Sequence, residues 1–224
     1  MKRQMMTVTV LAAFLAMPAV ADMSDLSEVT ATGNGAETLL YNVFNTLYGT
    51  QLTSNADLVA QWGQNSFQPY SNYPPTTPSR FDYEAVWMDA WNTQDIDLVT
   101  SGGTTQLLFG GIDQIDNTWR LQNWPASGTD PGDLRGLGLT GHFTSQEDFG
   151  FRLTTFAPGF EALSTEYWFS QDNLNTPNET HMLFFTTPIE GVWFAAVEDR
   201  YLGHPHGHND FNDFVFELRE TVIP

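Results

Sequence analysis

Trp193-Phe194-Ala195-Ala196-Val197-Glu198-Asp199, a return from Arg200 to Asn209, and then Asp210-Phe211-Asn212-Asp213-Phe214-Val215-Phe216-Glu217-Leu218 decide how this chain folds. Both apolar stretches are too short for a buried helix and rich in aromatic or β-branched residues, which reads as two strands. Side chains alternate along a strand, so Phe214, Phe216 and Leu218 share one face while Val215 and Glu217 share the other. The first strand releases Glu198 and Asp199 where it emerges. The second begins on Asp210, Asn212 and Asp213, so the two strand ends gather acids and amides at one place.

Counting the first strand of this pair, Val192–Val197, the same pattern also marks Tyr83–Trp91, Leu107–Ile112, Trp119–Trp124, Phe149–Phe156, Glu166–Phe169 and His181–Phe185. The segments are separated by Gly, Pro, Asn and Asp, the residues of turns. With Phe214–Leu218 they predict a mainly β protein, an antiparallel β-sandwich of the jelly-roll kind. One amphipathic helix is predicted over residues 36–48. Leu39, Leu40, Val43, Phe44, Leu47 and Tyr48 recur at spacings of three and four, and Gly49 ends the run. Pro69, Pro74, Pro75 and Pro78 make residues 65–79 a loop. No repeat of fixed period is visible. The stretch before Pro75 is too short for a core of its own, so residues 22–224 are expected to form a single domain.

Residues 1–21 read as a secretory signal: Lys2 and Arg3, an apolar run from Val8 to Val20, and the small-residue site Ala19-Val20-Ala21. No later segment approaches the ~20 apolar residues of a membrane helix. Removal of 21 of the 224 residues takes away Lys2, the lone lysine, and leaves six arginines against 27 acids, a net charge of about −21. Phosphate binding depends on cationic side chains, so nucleic acid is excluded as a partner class. Such a charge opposes compaction and is relieved by divalent cations or salt. The chain has no cysteine, hence no disulfide and no thiolate site. A bound cation is a substitute staple, because affinity for the folded state adds to stability.

Calcium takes six to eight oxygen ligands, and Glu198, Asp199, Asp210, Asn212 and Asp213 are the candidate set. The competing reading is a solvated acidic hairpin, since Asp and Asn are common in turns. His204, His206 and His208 alternate with Pro205 and Gly207 beside Asp210. Imidazole suits zinc, copper or nickel, but tetrahedral sites draw ligands from separated segments, which makes this the weaker cofactor expectation. His142 and His181 read as structural.

The order apolar strand, Glu198-Asp199, a Gly-containing loop, Asp210-Phe211-Asn212-Asp213 and Phe214-Val215-Phe216 resembles the C-terminal signature of an exported bacterial family, the domain of unknown function 4114. The family is associated with calcium-bound β-sandwiches and with PEP-CTERM sorting tails. Residues 175–181 ahead of Met182-Leu183-Phe184-Phe185 are similar to the Asn-rich loop and His-led strand of such proteins, and Leu39–Thr50 to their N-terminal helix. The correspondence covers residues 175–218. His208 departs from the pattern where the family often carries Asp. The sequence ends at Val222-Ile223-Pro224 without Pro-Glu-Pro, so non-covalent retention or release is expected.

Seven tryptophans are many for this length, and aromatic burial in the sandwich is their default role. Trp62, Tyr70 and Tyr73, around the proline-rich loop, are the candidates for ligand contact. Carboxylates are plentiful enough for a glycosidase pair, but nothing in the sequence places two across a cleft. There is no Gly-x-Ser-x-Gly elbow or phosphate loop. The expectation is therefore a non-enzymatic, secreted calcium-binding module of the envelope or extracellular matrix, loosely held at the cell surface. Its expected partner is a surface glycan, a matrix protein or a second copy. The alternative is a carbohydrate-binding or carbohydrate-cleaving domain.

Overall fold

A computed structural model describes residues 38–64, 79–88, 93–100, 102–115, 118–120, 132–135, 138–145, 149–156, 166–170, 174–175, 180–198 and 211–222. In chain order these form α1 (Leu40–Tyr48), α2 (Asn55–Trp62), β1 (Gly63–Gln64), β2 (Ser79–Met88), β3 (Thr93–Thr100), β4 (Thr105–Ile115), β5 (Thr118–Arg120), β6 (Gly132–Asp133), β7 (Thr140–Ser145), β8 (Phe149–Phe156), β9 (Glu166–Phe169), β10 (Met182–Thr186), β11 (Val192–Val197) and β12 (Phe214–Val222).

The strands build two antiparallel sheets. In the first the order is β1-β10-β11-β12-β2-β6, with β7 also paired to β2; in the second it is β5-β4-β3-β8-β9. The mainly β sandwich expected from the sequence is the fold observed. Phe81, Phe143, Phe149, Phe151, Phe184 and Phe216 are among the side chains buried between the sheets. Their rings meet mostly edge to face, for instance Phe81 on Phe149 at 5.2 Å and 68°, the arrangement favoured by the ring quadrupole.

A second apolar cluster lies on the other face of the first sheet. Leu40, Val43, Phe44 and Leu47 of α1 and Leu58 of α2 pack there with Leu183, Phe185, Phe194 and Val215. The strands β10 and β11 are therefore covered on both faces. That is why they are written as continuous apolar runs rather than as alternating ones. In β12 the alternation is as the sequence predicts: Phe214, Phe216 and Leu218 enter the inter-sheet core and Val215 the helix-side cluster. Glu217, on that helix side, accepts a hydrogen bond from the Tyr48 hydroxyl at 2.7 Å.

Helix α1 ends where expected, Gly49 taking the left-handed conformation at φ 67° and donating its N–H to Asn45 O at 2.8 Å. Its C-terminal turn is further held by Arg135, whose Nη1 donates to Leu47 O at 2.8 Å. Helix α2 is an addition to the single helix expected. Ser54 caps it, accepting from Asp57 N at 3.1 Å, and the Asp57 carboxylate accepts from Thr53 N at 3.0 Å. Asn175 closes part of the open edge of β9. Its Oδ1 accepts from Phe169 N at 2.7 Å and its Nδ2 donates to Phe169 O at 3.0 Å.

Candidate functional site

The candidate site lies at one end of the first sheet, where the register puts four strands level. Val197 stands opposite Met182 on one side and Phe214 on the other, and Phe214 stands opposite Met88. One step beyond this row, Glu198 leaves β11, His181 leads into β10, and Asn212 and Asp213 lead into β12. The ends of β11 and β12 are adjacent, with Glu198 and Asp213 each one residue beyond the last paired row. Asp199, Asp210, His204, His206 and His208 lie outside the described residues.

All the described members are buried, although each is polar. Glu198 is 2% exposed, Asp213 9%, and Asn212 and His181 0%. Burying a carboxylate is costly unless it is compensated, and hence this end of the sheet is chemically unusual. The ladder continues one rung past β10 and β11, with Glu198 N donating to His181 O at 3.0 Å. His181 Nδ1 lies 3.1 Å from Glu198 O. A carbonyl only accepts, so Nδ1 carries the proton and donates. Burial pushes the His181 pKa down to about 4, outweighing the raising effect of that bond, and the imidazole is neutral at neutral pH. Its ring stacks on Trp168 of β9 at 3.8 Å and 14°. His181 is therefore a buried, neutral ring that joins the two sheets next to the site.

Asn212 has a divided role. Its Nδ2 donates to Thr38 O, just ahead of α1, whereas its Oδ1 has no hydrogen-bond partner among the described residues. An unmatched acceptor at a fully buried position is rare and costs roughly 1–3 kcal/mol. The preceding residue, Phe211, has φ 54° and is buried in the helix-side cluster. Left-handed backbone is unfavourable for a bulky aromatic and persists where the surroundings impose it. Neither feature was foreseeable from residue spacing, because both depend on where α1 docks.

Glu198 and Asp213 contribute two buried carboxylates and Asn212 a neutral amide oxygen that has no hydrogen-bond partner among the described residues, the donor types that hard cations take. Among the described residues, no group of three or more His, Cys, Asp or Glu side chains is gathered. The remaining sequence candidates are placed differently. Trp62 closes α2, half-buried, its ring 5.9 Å from that of Phe44. Tyr70 and Tyr73 lie outside the described residues. Trp87 and Trp168 are core residues. His142 is exposed on β7.

Comparison with protein-family models, with curated proteins and with solved structures finds no match. The fold and the site define a class by themselves: a helix-covered β-sandwich with buried Glu198, Asn212 and Asp213 at the paired ends of two strands. No helix among the described residues is long and apolar enough to cross a membrane.

Proposed function

We propose that this chain is an exported, calcium-stabilised β-sandwich that serves as a structural or adhesive module of a bacterial envelope or extracellular matrix. The observation that carries the calcium reading is Asn212 Oδ1, buried and without a hydrogen-bond partner among the described residues, at the same paired strand ends as the buried residues Glu198 and Asp213. A cation there uses the amide oxygen and neutralises both acids. Sequence continues the same chemistry, with Asp199 next along one arm and Asp210 two residues before Asn212. Export is supported by the leader-like residues 1–21, and the module reading by the resemblance of residues 175–218 to calcium-associated exported domains. High acidity and the absence of cysteine agree with cation stapling.

Elemental analysis of the purified protein, joined to melting curves in chelator and in millimolar calcium, tests this. Bound calcium and a melting temperature several degrees lower in chelator are expected. Asp213→Ala or Asp210→Ala should abolish the calcium-dependent part, while His204→Ala and His206→Ala should leave it nearly unchanged, since calcium prefers oxygen to imidazole. Identical melting curves in both buffers refute the proposal. Loss of metal confined to the histidine variants replaces calcium with a transition metal.

A further inference from the structure

The two halves of the Asn212 amide face different tasks. Nδ2 holds the carbonyl of Thr38, two residues before the first residue of α1, and Oδ1 is buried without a hydrogen-bond partner among the described residues. Phe211 and Val215, on either side, are buried in the cluster formed by α1, α2 and the outer face of the first sheet. The approach to β12 therefore carries both the candidate cation ligands and the attachment point of the N-terminal helix. We propose that cation binding at Glu198, Asn212 and Asp213 locks α1 onto the sheet, and that loss of the cation releases it.

The mechanism rests on the calcium reading above and adds a consequence to it. With a cation present, the Asn212 amide is fixed at its oxygen, so its nitrogen is aimed at Thr38 and Phe211 stays seated beneath the helix. Without it, two buried carboxylates, Glu198 and Asp213, stand one residue beyond the last paired row of β11 and β12 with no cation to offset their charge. The strand approach then relaxes, and Asn212 and Phe211 move with it. What opens is the face bearing Leu183, Phe185, Phe194 and Val215, all buried under the helices in the closed form. The other attachments of α1 outside the helix pair, Tyr48 to Glu217 and Arg135 to Leu47 O, are at its C-terminal end, whereas at its N-terminal end Tyr41 N donates to Asn55 Oδ1 of α2 and not to the sheet. Release is therefore expected to start at Leu40.

Hydrogen exchange of the full chain, read on the peptide covering Leu40–Tyr48 in calcium chloride and in chelator, tests the coupling, with bound calcium measured on the same samples. An opening that requires release of the ion slows by 1 + [Ca]/Kd, about 100-fold when free calcium is 100 times its Kd. Asn212→Asp provides the second arm. It keeps an oxygen ligand and loses the donor to Thr38, so calcium should still bind while α1 exchanges equally fast with and without it. Calcium binding with unchanged α1 protection in the native chain overturns the coupling and leaves the calcium reading intact. Retained calcium-dependent protection in Asn212→Asp overturns the role of the amide. No bound calcium in the native chain overturns both.

Discussion

Gly141 is a position where a local rule and the tertiary structure give opposite signs. In a strand, glycine loses more conformational freedom on folding than alanine, so Gly→Ala is ordinarily favourable by roughly 0.5–1 kcal/mol. Here Gly141 stands opposite Tyr83 in the β2–β7 pair, and the phenol lies across it. A Cβ at 141 would overlap the phenol oxygen and its ring carbon and sit 3.0 Å from Cε2. Tyr83 has little freedom to yield, because its ring packs edge to face on Phe109 at 5.0 Å and stacks on Phe143 at 6.4 Å. Overpacking of this kind costs about 1–3 kcal/mol, and a displaced aromatic pair about 0.5–1.5 kcal/mol. After the entropic gain, Gly141→Ala should lose about 0.5–4 kcal/mol, or roughly 1–16 °C in melting temperature for a chain of this size. Gly110→Ala is the control. Its Cβ would approach Leu107 Cδ2 at 2.7 Å, but Leu107 is 55% exposed and free to swing away, so the change should stay within about 0.5 kcal/mol. Urea and thermal unfolding of both variants, repeated in a Tyr83→Ala background, isolate the contact. A Gly141→Ala protein as stable as the parent, or one whose cost persists without Tyr83, refutes the reasoning.

Three further outcomes can be measured. Burial, with Glu84 opposite, raises the Glu217 pKa above its ordinary value despite the bond from Tyr48. Such a group favours the fold when protonated, a contribution present at pH below the ordinary value and lost as pH rises through the raised one. Glu217→Gln, which keeps an acceptor for Tyr48, should thus be more stable than the parent at pH 7 and lose that advantage near pH 4 in urea titrations. Phe44 is fully buried between Tyr48 at 4.6 Å, Phe194 at 5.3 Å and Trp62. Phe44→Ala should cost about 3–5 kcal/mol by denaturant unfolding. Ser54→Ala removes the cap of α2 and should cost about 1 kcal/mol, measured in the same way.

Strands whose core-facing residues are aromatic or β-branched could be read directly. Phe149–Phe156, Glu166–Phe169 and Val192–Val197 have the bounds the sequence predicts. The strand β3, Thr-Gln-Asp-Ile-Asp-Leu-Val-Thr, was not foreseen because its acids look like turn residues. In the structure Asp97 is nearly buried and accepts from Arg152 Nη2 at 2.6 Å, so a neighbouring strand supplies the compensation. Strand β7 carries Gly141, His142 and a single large apolar residue, Phe143, and its pattern makes sense only beside Tyr83. Helix α2 buries only Asn55 and Leu58, too few for a periodic stripe. At the candidate site, the pairing of β11 with β12, which sets Glu198 and Asp213 one residue beyond its last row, could be read from the two strands. The role of Asn212 depends on Thr38, 174 residues away, and no local pattern encodes that contact.

Those sequence separations bear on the order of folding. The links from α1 to the sheet span 174 residues at Asn212 and 169 at Glu217. A ribosome adding about 5–20 residues per second finishes β12 roughly 10–30 s after α1 has emerged. Through that interval Leu40, Val43, Phe44 and Leu47 have no completed surface on which to dock, and closing so long a loop is itself slow. Docking of the helix is then a late event, absent from the folding transition state. Weakening it, as in Phe44→Ala, should accelerate unfolding while leaving the refolding rate nearly unaltered.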